Sequence, residues 1–172
     1  MKTIQLLRHG KSGWGDAGLE DHERPLAARG IAAAQSMGRL LKQRDWLPDA
    51  LLCSSARRTQ ETLAELIIGF GPGLPQARIE SELYLASAAG LVERLQSLSD
   101  EIGVAMIIGH NDGMHICAQS LAATGESRDL SRLASGFPTA GLAIIQVEID
   151  RWADLRPGKG RLAHLVFPRE ID

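Results

Sequence analysis

The sequence predicts an α/β fold, a three-layer α/β/α sandwich with a mainly parallel central sheet and an antiparallel edge. Short apolar runs alternate with longer segments of helical periodicity, which is typical of parallel strands joined by helices. Residues 104–108 are apolar without interruption, as expected of a strand buried on both faces. Near the end of the chain, two strand-like runs flank a polar stretch with Pro and Gly, which indicates an antiparallel hairpin at one sheet edge.

Composition indicates one ordinary globular domain over residues 1–172. The 172 residues are 44% hydrophobic and 23% charged, enough to bury a substantial core. A formal net charge of -2 gives no general attraction to nucleic acid or acidic membranes, so any affinity for anions must be local. No apolar run approaches membrane-spanning length and the first residues lack a signal pattern, so we expect a cytoplasmic protein without nucleic-acid or membrane partners. The oligomeric state is left open, with a monomer expected.

The first strand is predicted at residues 3–7, a run too brief for a helix and rich in aliphatic side chains. Residues 11–24 contain several Gly and charged residues without a period, so they are predicted as a long loop of the kind that often carries function. Four polar residues of this loop are of interest, namely Asp16, Asp21, His22 and Arg24. Residues 25–44 are predicted as a helix, because apolar residues recur on one face at helical spacing.

The second strand, at residues 50–53, leads to a helix that Ser54 and Ser55 are expected to cap and that the Gly and Pro cluster at 69–75 ends. The remaining elements are predicted in this order: a short strand at 77–80, a helix capped by Ser87, a strand at 104–108, a helix from 113, a short polar helix within 125–134, and hairpin strands at 142–149 and 162–167. Cys53 and Cys117 fall at apolar positions, where free cysteines behave as small buried hydrophobic residues.

Polar residues follow three of the apolar strands. Arg8 and His9 come at the end of the first, the segment from Ser54 to Arg58 follows the second, and His110 follows the strand at the middle of the chain. If these strands are parallel neighbours, the three sets meet at one edge of the sheet. Guanidinium groups bind phosphate through paired hydrogen bonds, and a neutral imidazole is a competent nucleophile toward phosphorus. The pattern therefore predicts a site for a phosphoryl group.

Three motifs occupy these positions, namely L-L-R-H-G at 6–10, S-S-A-R-R-T-Q-E-T at 54–62 and I-I-G-H-N at 107–111. Together they resemble the motifs of the histidine phosphatase (phosphoglycerate mutase-like) superfamily. Two further segments, D-H-E-R-P-L at 21–26 and F-P-T-A-G at 137–141, resemble its compact branch of SixA-type phosphohistidine phosphatases. The resemblance extends from residue 3 to about residue 147.

The resemblance implies a role for each matching residue. His9 would be the nucleophile that accepts the phosphoryl group, and water would then hydrolyse the resulting phosphohistidine. Arg8 and Arg58 would clamp the phosphoryl oxygens, and His110 would donate a further hydrogen bond to them. Arg24 resembles an additional phosphate-binding arginine of the compact branch. Neither a cofactor nor a metal is implied.

The proton donor is open at this stage. Larger members of the superfamily place a glutamate after the second strand–helix unit, and Glu82 lies in that region within a different motif. Asp21 is the alternative donor. A phosphohistidine substrate would relax the need for an acid, because the conjugate acid of its leaving imidazole has a pKa of about 6.5. An alcohol leaving group is far more basic.

We therefore expect a metal-independent phosphatase that acts on phosphohistidine in signalling or phosphotransfer proteins. The chain is too short for a large cap over the pocket, and an open pocket suits a protein surface. A small phosphorylated substrate, turned over by a phosphomonoesterase, is the first alternative. A non-catalytic phosphoprotein-binding module is the second.

Other polar and aromatic residues have plainer interpretations. Arg57 is expected to be a solvated residue at a helix start, and His22 a loop residue near the pocket mouth. His115 and His164 lack the spacing of zinc ligands and are expected to be structural or exposed. Trp14 either flanks the mouth of the site or anchors the loop.

Overall fold

A computed structural model describes residues 1–14 and 18–171 of the chain. Asp16, one of the loop residues of interest, lies outside this part. The elements follow in the order β1 Lys2–Arg8, α1 Ala28–Gln43, β2 Ala50–Ser54, α2 Arg57–Phe70, β3 Arg78–Glu80, α3 Ala88–Gln96, β4 Val104–Gly109, α4 Gly113–Leu121, β5 Ala122–Gly125, α5 Ser127–Ser135, β6 Leu142–Val147 and β7 Gly160–Val166. Short 3-10 turns lie at Asp21–Glu23, Ser81–Leu83, Trp152–Asp154 and Pro168–Glu170.

The strands form one mixed seven-stranded sheet in the order β3-β2-β4-β1-β6-β7-β5. The first four of these strands are mutually parallel, and β6 is antiparallel to both β1 and β7. The α/β prediction is confirmed, including the hairpin of β6 and β7. Its placement at the edge is wrong, because β5 pairs in parallel with β7 and forms that edge instead. β5 has four residues without alternating polarity, so pairing rather than sequence pattern makes it a strand.

Helices cover both faces of the sheet, as a three-layer sandwich requires. On one face α1 and α2 pack their apolar side chains against Leu7, Met106 and Ile108. On the other face α3, α4 and α5 pack against Ile4 and Leu6 with the remaining inward residues of the strands. Strand residues alternate between the two core clusters because successive side chains point to opposite faces.

The two cysteines are free and buried, as predicted. Cys53 lies in the core cluster under α1 and α2, and Cys117 lies in the cluster on the opposite face of the sheet. Burial raises the pKa of both thiols to about 12. The two residues therefore act as small hydrophobic packing groups. Within the described residues, no helix is both long and apolar enough to cross a membrane.

Most predicted helix boundaries are close to those observed, but one capping prediction is wrong. Ser87 caps α3 as expected, since its hydroxyl accepts the Gly90 N–H at 3.1 Å. In contrast, α2 begins at Arg57 with Ala56 as its N-cap and without a side-chain cap. Ser54 lies at the end of β2, and its hydroxyl is bonded within the predicted site.

Helices α1 and α2 approach each other closely at Gly38 and Gly69. A Cβ at Gly38 would overlap the backbone of Leu66 and Phe70 in α2, and a Cβ at Gly69 would overlap the Gln35 backbone of α1. A glycine inside a helix lowers helix propensity, so Gly38 needs another reason. Gly38 allows the backbones of α1 and α2 to come into contact on one face of the sheet.

We expect Gly38→Ala to lower the free energy of unfolding by about 1–3 kcal/mol, since the overlap with α2 outweighs the gain in helix propensity. Gly90→Ala in α3 is the matched control, because its Cβ would meet only the Ser87 hydroxyl, at 3.5 Å. That variant is expected to range from no change to a gain of about 1 kcal/mol. Urea titrations compared at constant m-value measure both. A Gly38→Ala protein as stable as the wild type would refute the close-contact role.

Candidate active site

The carboxyl ends of β1, β4 and β2 bring the three predicted sets of residues together. β1 and β4 pair so that Arg8 lies opposite Gly109, which places His9 and His110 side by side at the next position. The backbone N–H of His9 donates to the Gly109 carbonyl at 3.0 Å. The two imidazole centroids are 5.3 Å apart, and both rings are buried. Sheet register thus makes neighbours of two histidines that are far apart in sequence.

The His9 ring has one committed nitrogen and one available nitrogen. Nδ1 lies 2.7 Å from the Gly10 carbonyl oxygen, which can only accept a hydrogen bond, so Nδ1 carries the proton. Nε2 then presents a lone pair and has no hydrogen-bond partner in the described part of the chain. Burial is the main factor that lowers the His9 pKa to about 4, and the charges of Arg58 and Arg8 lower it further. At neutral pH the ring is therefore uncharged and nucleophilic at Nε2.

Ser54 sets the tautomer of His110. Its hydroxyl accepts the Ala56 N–H at 3.3 Å and lies 2.7 Å from Nε2 of His110. Since the hydroxyl has no other acceptor among the described residues, it donates its proton to Nε2, and Nδ1 of His110 carries the ring proton. Nδ1 is buried without a partner in the described structure. Burial, followed by the proximity of His9 and Arg58, lowers the His110 pKa to about 3. His110 is thus a neutral hydrogen-bond donor awaiting an acceptor.

Three guanidinium groups lie around His9. Arg8 donates from Nη1 to the Phe137 carbonyl at 2.8 Å, and its buried Nε has no partner in the described structure. Arg58, 3% exposed, donates from Nη1 to the Asp21 carbonyl oxygen at 2.7 Å. Arg24 is close enough for its charge to lower the His9 pKa. The site therefore concentrates positive charge around a neutral nucleophile.

Asp21 is the anion that holds this cluster together. Its carboxylate accepts hydrogen bonds from the Tyr84 hydroxyl at 2.5 Å, from Arg58 Nη2 at 3.0 Å and from Arg24 Nη1 at 3.1 Å. These hydrogen bonds hold the pKa of the Asp21 carboxyl far below its usual range, although burial opposes them. The bond from Tyr84 has the largest effect. Asp21 is consequently ionised, which weighs against its predicted role as a proton donor. Glu82 is exposed on a 3-10 turn, and its one described hydrogen bond is with Ser81, at 3.4 Å.

The loop after His9 is fixed by contacts with α1 and α2. The Gly10 N–H donates to the Thr62 hydroxyl at 2.9 Å, and that hydroxyl donates to the Arg58 carbonyl. A Cβ at Gly10 would overlap the backbone of Gly30 in α1, so only a glycine pair permits this approach. These contacts fix the position of the Gly10 carbonyl and, through it, the orientation of the His9 ring.

The F-P-T-A-G segment closes the site from the β6 side. The Ala140 N–H donates to the His9 carbonyl at 2.9 Å, and the Phe137 carbonyl accepts from both Arg8 and Asn111. The family resemblance includes this segment but implies no contact for it. Its function in the structure is to hold the end of β1 and the Arg8 side chain.

Tyr84 is a site residue that sequence reasoning missed. Besides its bond to Asp21, its ring packs edge-on against His110 at 5.4 Å and against His22 at 4.8 Å. One signal was available, since this is the only tyrosine of the chain and it follows β3 at the same edge of the sheet. A tyrosine at a strand end is too common a feature to have been singled out.

The other polar residues lie largely where they were expected. Arg57 begins α2, is exposed and pairs with Glu61 at 2.7 Å. His22 is bonded to Ser55 at 2.9 Å beside the site, and Trp14 is 84% exposed under the Arg24 guanidinium. His115 contacts the Leu133 carbonyl and stacks on Phe137, whose carbonyl accepts from Arg8, whereas His164 packs on Trp46. Within residues 1–14 and 18–171, no group of three or more His, Cys, Asp or Glu side chains could hold a metal ion.

Comparison with known proteins agrees with this geometry. The sequence model of the histidine phosphatase superfamily, branch 1, matches residues 4–84. An uncharacterized protein of Mycobacterium tuberculosis is 34% identical over 166 residues, which cover 95% of this chain and all of that protein. The chain belongs to the histidine phosphatase superfamily. As a member of it, the protein is a phosphatase, and the arginines and histidines described above form its candidate active site.

One solved structure places this histidine phosphatase in the SixA-like branch, and a second shares its fold. A candidate phosphohistidine phosphatase SixA from Agrobacterium tumefaciens is 27% identical, with a TM-score of 0.81 over 97% of this chain and 98% of its own. A second candidate phosphohistidine phosphatase SixA, from Nakamurella multipartitia, is 24% identical and shares the fold with a TM-score of 0.83 over 97% of this chain and 96% of its own.

The buried neutral histidines predict a loss of stability in mild acid. An unfolded histidine takes up a proton below about pH 6.5, whereas folded His9 and His110 do so only near their pKa values of about 4 and about 3. The unfolded state therefore gains protons first as the pH falls. We expect the free energy of unfolding to be independent of these groups above pH 7 and to fall below pH 6.5, at up to about 1.4 kcal/mol per pH unit for each histidine.

Urea unfolding at intervals from pH 7.5 to 5 measures this slope. The double variant His9→Asn, His110→Asn is the control, because asparagine does not titrate there. Its slope should be shallower than that of the wild type. Equal slopes in the two proteins would show that both histidines titrate normally in the folded state.

Proposed function

We propose that residues 1–172 form a single domain that hydrolyses phosphohistidine on a protein, without a metal ion, through a covalent intermediate on His9. The observation that carries this proposal is the His9 ring itself, neutral, with Nδ1 bonded to Gly10 and Nε2 available. Two buried donors without partners in the described structure, Arg8 Nε and His110 Nδ1, accompany it. Buried unpaired donors are costly and mark places where a ligand is expected.

The phosphoryl oxygens would be bound by Arg8, Arg58, Arg24 and the Nδ1–H of His110. A guanidinium has five N–H groups. The carboxylate and the backbone carbonyl of Asp21 each accept one of those on Arg58, so three are left for the substrate. Fixed positive groups around the equatorial oxygens are the main requirement of phosphoryl transfer. Three guanidinium groups meet it with the chain's own side chains.

The reaction would proceed in two displacements. In the first, the Nε2 lone pair of His9 forms a bond to phosphorus while the bond from phosphorus to the substrate imidazole breaks. The Nδ1–H of His9 remains bonded to the Gly10 carbonyl, which stabilises the positive charge that develops on the ring. In the second, water attacks phosphorus and the bond from phosphorus to Nε2 breaks. Inorganic phosphate leaves, and His9 returns to its neutral form.

The choice of substrate rests on the ionised state of Asp21. A phosphate ester releases an alkoxide, which needs a nearby acid, and Asp21 already lacks its proton. A phosphohistidine ring takes up a proton from solvent near neutral pH and leaves as neutral imidazole, so the site needs no acid for it. The similarity to the Agrobacterium protein named as a candidate phosphohistidine phosphatase supports the same choice.

Matched peptides that carry phosphohistidine or phosphoserine test the proposal, with p-nitrophenyl phosphate as a small ester and with EDTA in parallel. We expect kcat/KM for the phosphohistidine peptide to exceed that for the phosphoserine peptide by about 10²-fold or more, corresponding to about 3 kcal/mol in the barrier. EDTA should change none of the three rates. His9→Ala should cost on the order of 10⁴-fold or more and Arg58→Ala about 10²–10³-fold. His22→Ala, beside the site, is the control and should keep most of the activity.

Other results identify the alternatives. Turnover of p-nitrophenyl phosphate with neither peptide hydrolysed would indicate a small-molecule phosphomonoesterase. Tight binding of the phosphohistidine peptide without turnover would indicate a binding module. Loss of activity in EDTA, restored by a divalent metal, would refute metal independence.

A further inference from the structure

A large groove lies beside the candidate active site and shares Arg8 with it. Its volume is about 1050 Å³, and neither His9 nor His110 lines it. Its walls come from the first half of α1, the end of α5 and the segments at 136–139 and 167–169. We call it the basic groove, and its charged lining residues are Arg8, Lys11, Arg29, Arg132 and Arg169.

The charge of this groove is unlike that of the chain as a whole. Five Lys and Arg side chains line it, and none of its described lining residues is Asp or Glu, although the chain carries a net charge of -2. Arg132 is neutralised by Asp129 and Glu170 at its side. Lys11, Arg29 and Arg169 are exposed and form no ion pair in the described part of the chain. Among the described residues, nothing neutralises these three cations of the groove, and they can pair with a ligand.

The groove also has apolar surface and an unusual size. Phe137, Pro138, Phe167 and Pro168 contribute to its lining. Its volume reaches that of pockets that hold whole drug-sized ligands, about 300–1,000 Å³, and greatly exceeds that of one phosphorylated side chain. A ligand that fills it must therefore extend well beyond the phosphoryl group.

We propose that the basic groove docks an acidic segment of the protein whose phosphohistidine enters the active site. Arg8 belongs to both regions, so a chain that presents its phosphate to Arg8 can continue directly into the groove. Carboxylates of that segment would pair with Lys11, Arg29 and Arg169, and its apolar side chains would contact the Phe and Pro surface. The inference rests on the proposed function and adds the chemistry of the substrate protein around its phosphorylated residue.

Two histidine-phosphorylated peptides test the docking role, one flanked by several Asp and Glu and the other by Ser and Gln. The variant Lys11→Gln, Arg29→Gln, Arg169→Gln removes the available cations. The control variant Arg44→Gln, Arg151→Gln, Lys159→Gln removes the same charge from exposed residues outside the groove. p-Nitrophenyl phosphate, which has no carboxylate to pair with the groove cations, reports the integrity of the active site in all proteins.

Rim ion pairs contribute about 0.2–1 kcal/mol each, so the groove variant should raise KM for the acidic peptide about tenfold with kcat unchanged. Its KM for the neutral peptide and its rate with p-nitrophenyl phosphate should stay within about twofold of wild type, as should all rates of the control variant. The preference of the wild type for the acidic peptide should shrink in high salt, because screening weakens exposed pairs.

Distinct results separate the failure of the docking role from that of the proposed function. Equal KM values for the two peptides in the wild type, or equal effects of the two triple variants, would overturn the docking role alone. Hydrolysis of p-nitrophenyl phosphate with neither peptide turned over would refute the proposed function and the inference that rests on it. If the groove variant loses affinity only for a bisphosphorylated small ester, such as propane-1,3-diol bisphosphate, the groove binds a second phosphate and not a protein segment.

Discussion

The hydrogen bond between Nδ1 of His9 and the Gly10 carbonyl determines which nitrogen of the ring can react, and much of the surrounding structure serves to fix that carbonyl. The Gly10 N–H is bonded to Thr62 of α2, and the Gly10 backbone packs on Gly30 of α1. On the other side, Ala140 donates to the His9 carbonyl. The sheet supplies the remaining constraint, because the register of β1 and β4 sets His110 beside His9. The reactive tautomer is therefore a consequence of how α1, α2, the sheet and the segment before β6 pack around one strand end.

Gathering several guanidinium groups around a histidine carries a cost, and Asp21 offsets part of it. The Asp21 carboxylate accepts from Arg58, Arg24 and Tyr84, which positions the two arginines while their remaining N–H groups are left for a ligand. Arg8 Nε and His110 Nδ1 have no partner among the described residues, and a buried donor without a partner costs about 1–3 kcal/mol. A phosphoryl group would satisfy them, so part of the free energy lost in folding the site would return on substrate binding. This arrangement favours a dianionic ligand over a neutral one.

Local sequence patterns were sufficient for the strands of the parallel half and for the residues at their ends, because apolar runs and the motifs beside them lie within a few positions of each other. They failed where structure depends on distant partners. The Ser54 hydroxyl was predicted to cap a helix, whereas it bonds His110, 56 residues away in the sequence. β5 is a strand only through its pairing with β7. The role of Tyr84 and the existence of the basic groove also could not be predicted, because both depend on contacts between segments remote in sequence.

The central claim is that His9 reacts through Nε2, and isolating the covalent intermediate tests it most directly. The protein would be mixed with a phosphohistidine donor, quenched in alkali within milliseconds, digested and examined by mass spectrometry and by ³¹P and ¹⁵N NMR. The account predicts phosphate on His9 alone, attached to Nε2, and no phosphorylated peptide in His9→Ala. Phosphate on Nδ1 of His9, phosphate on His110, or release of phosphate without any phosphorylated intermediate would contradict it.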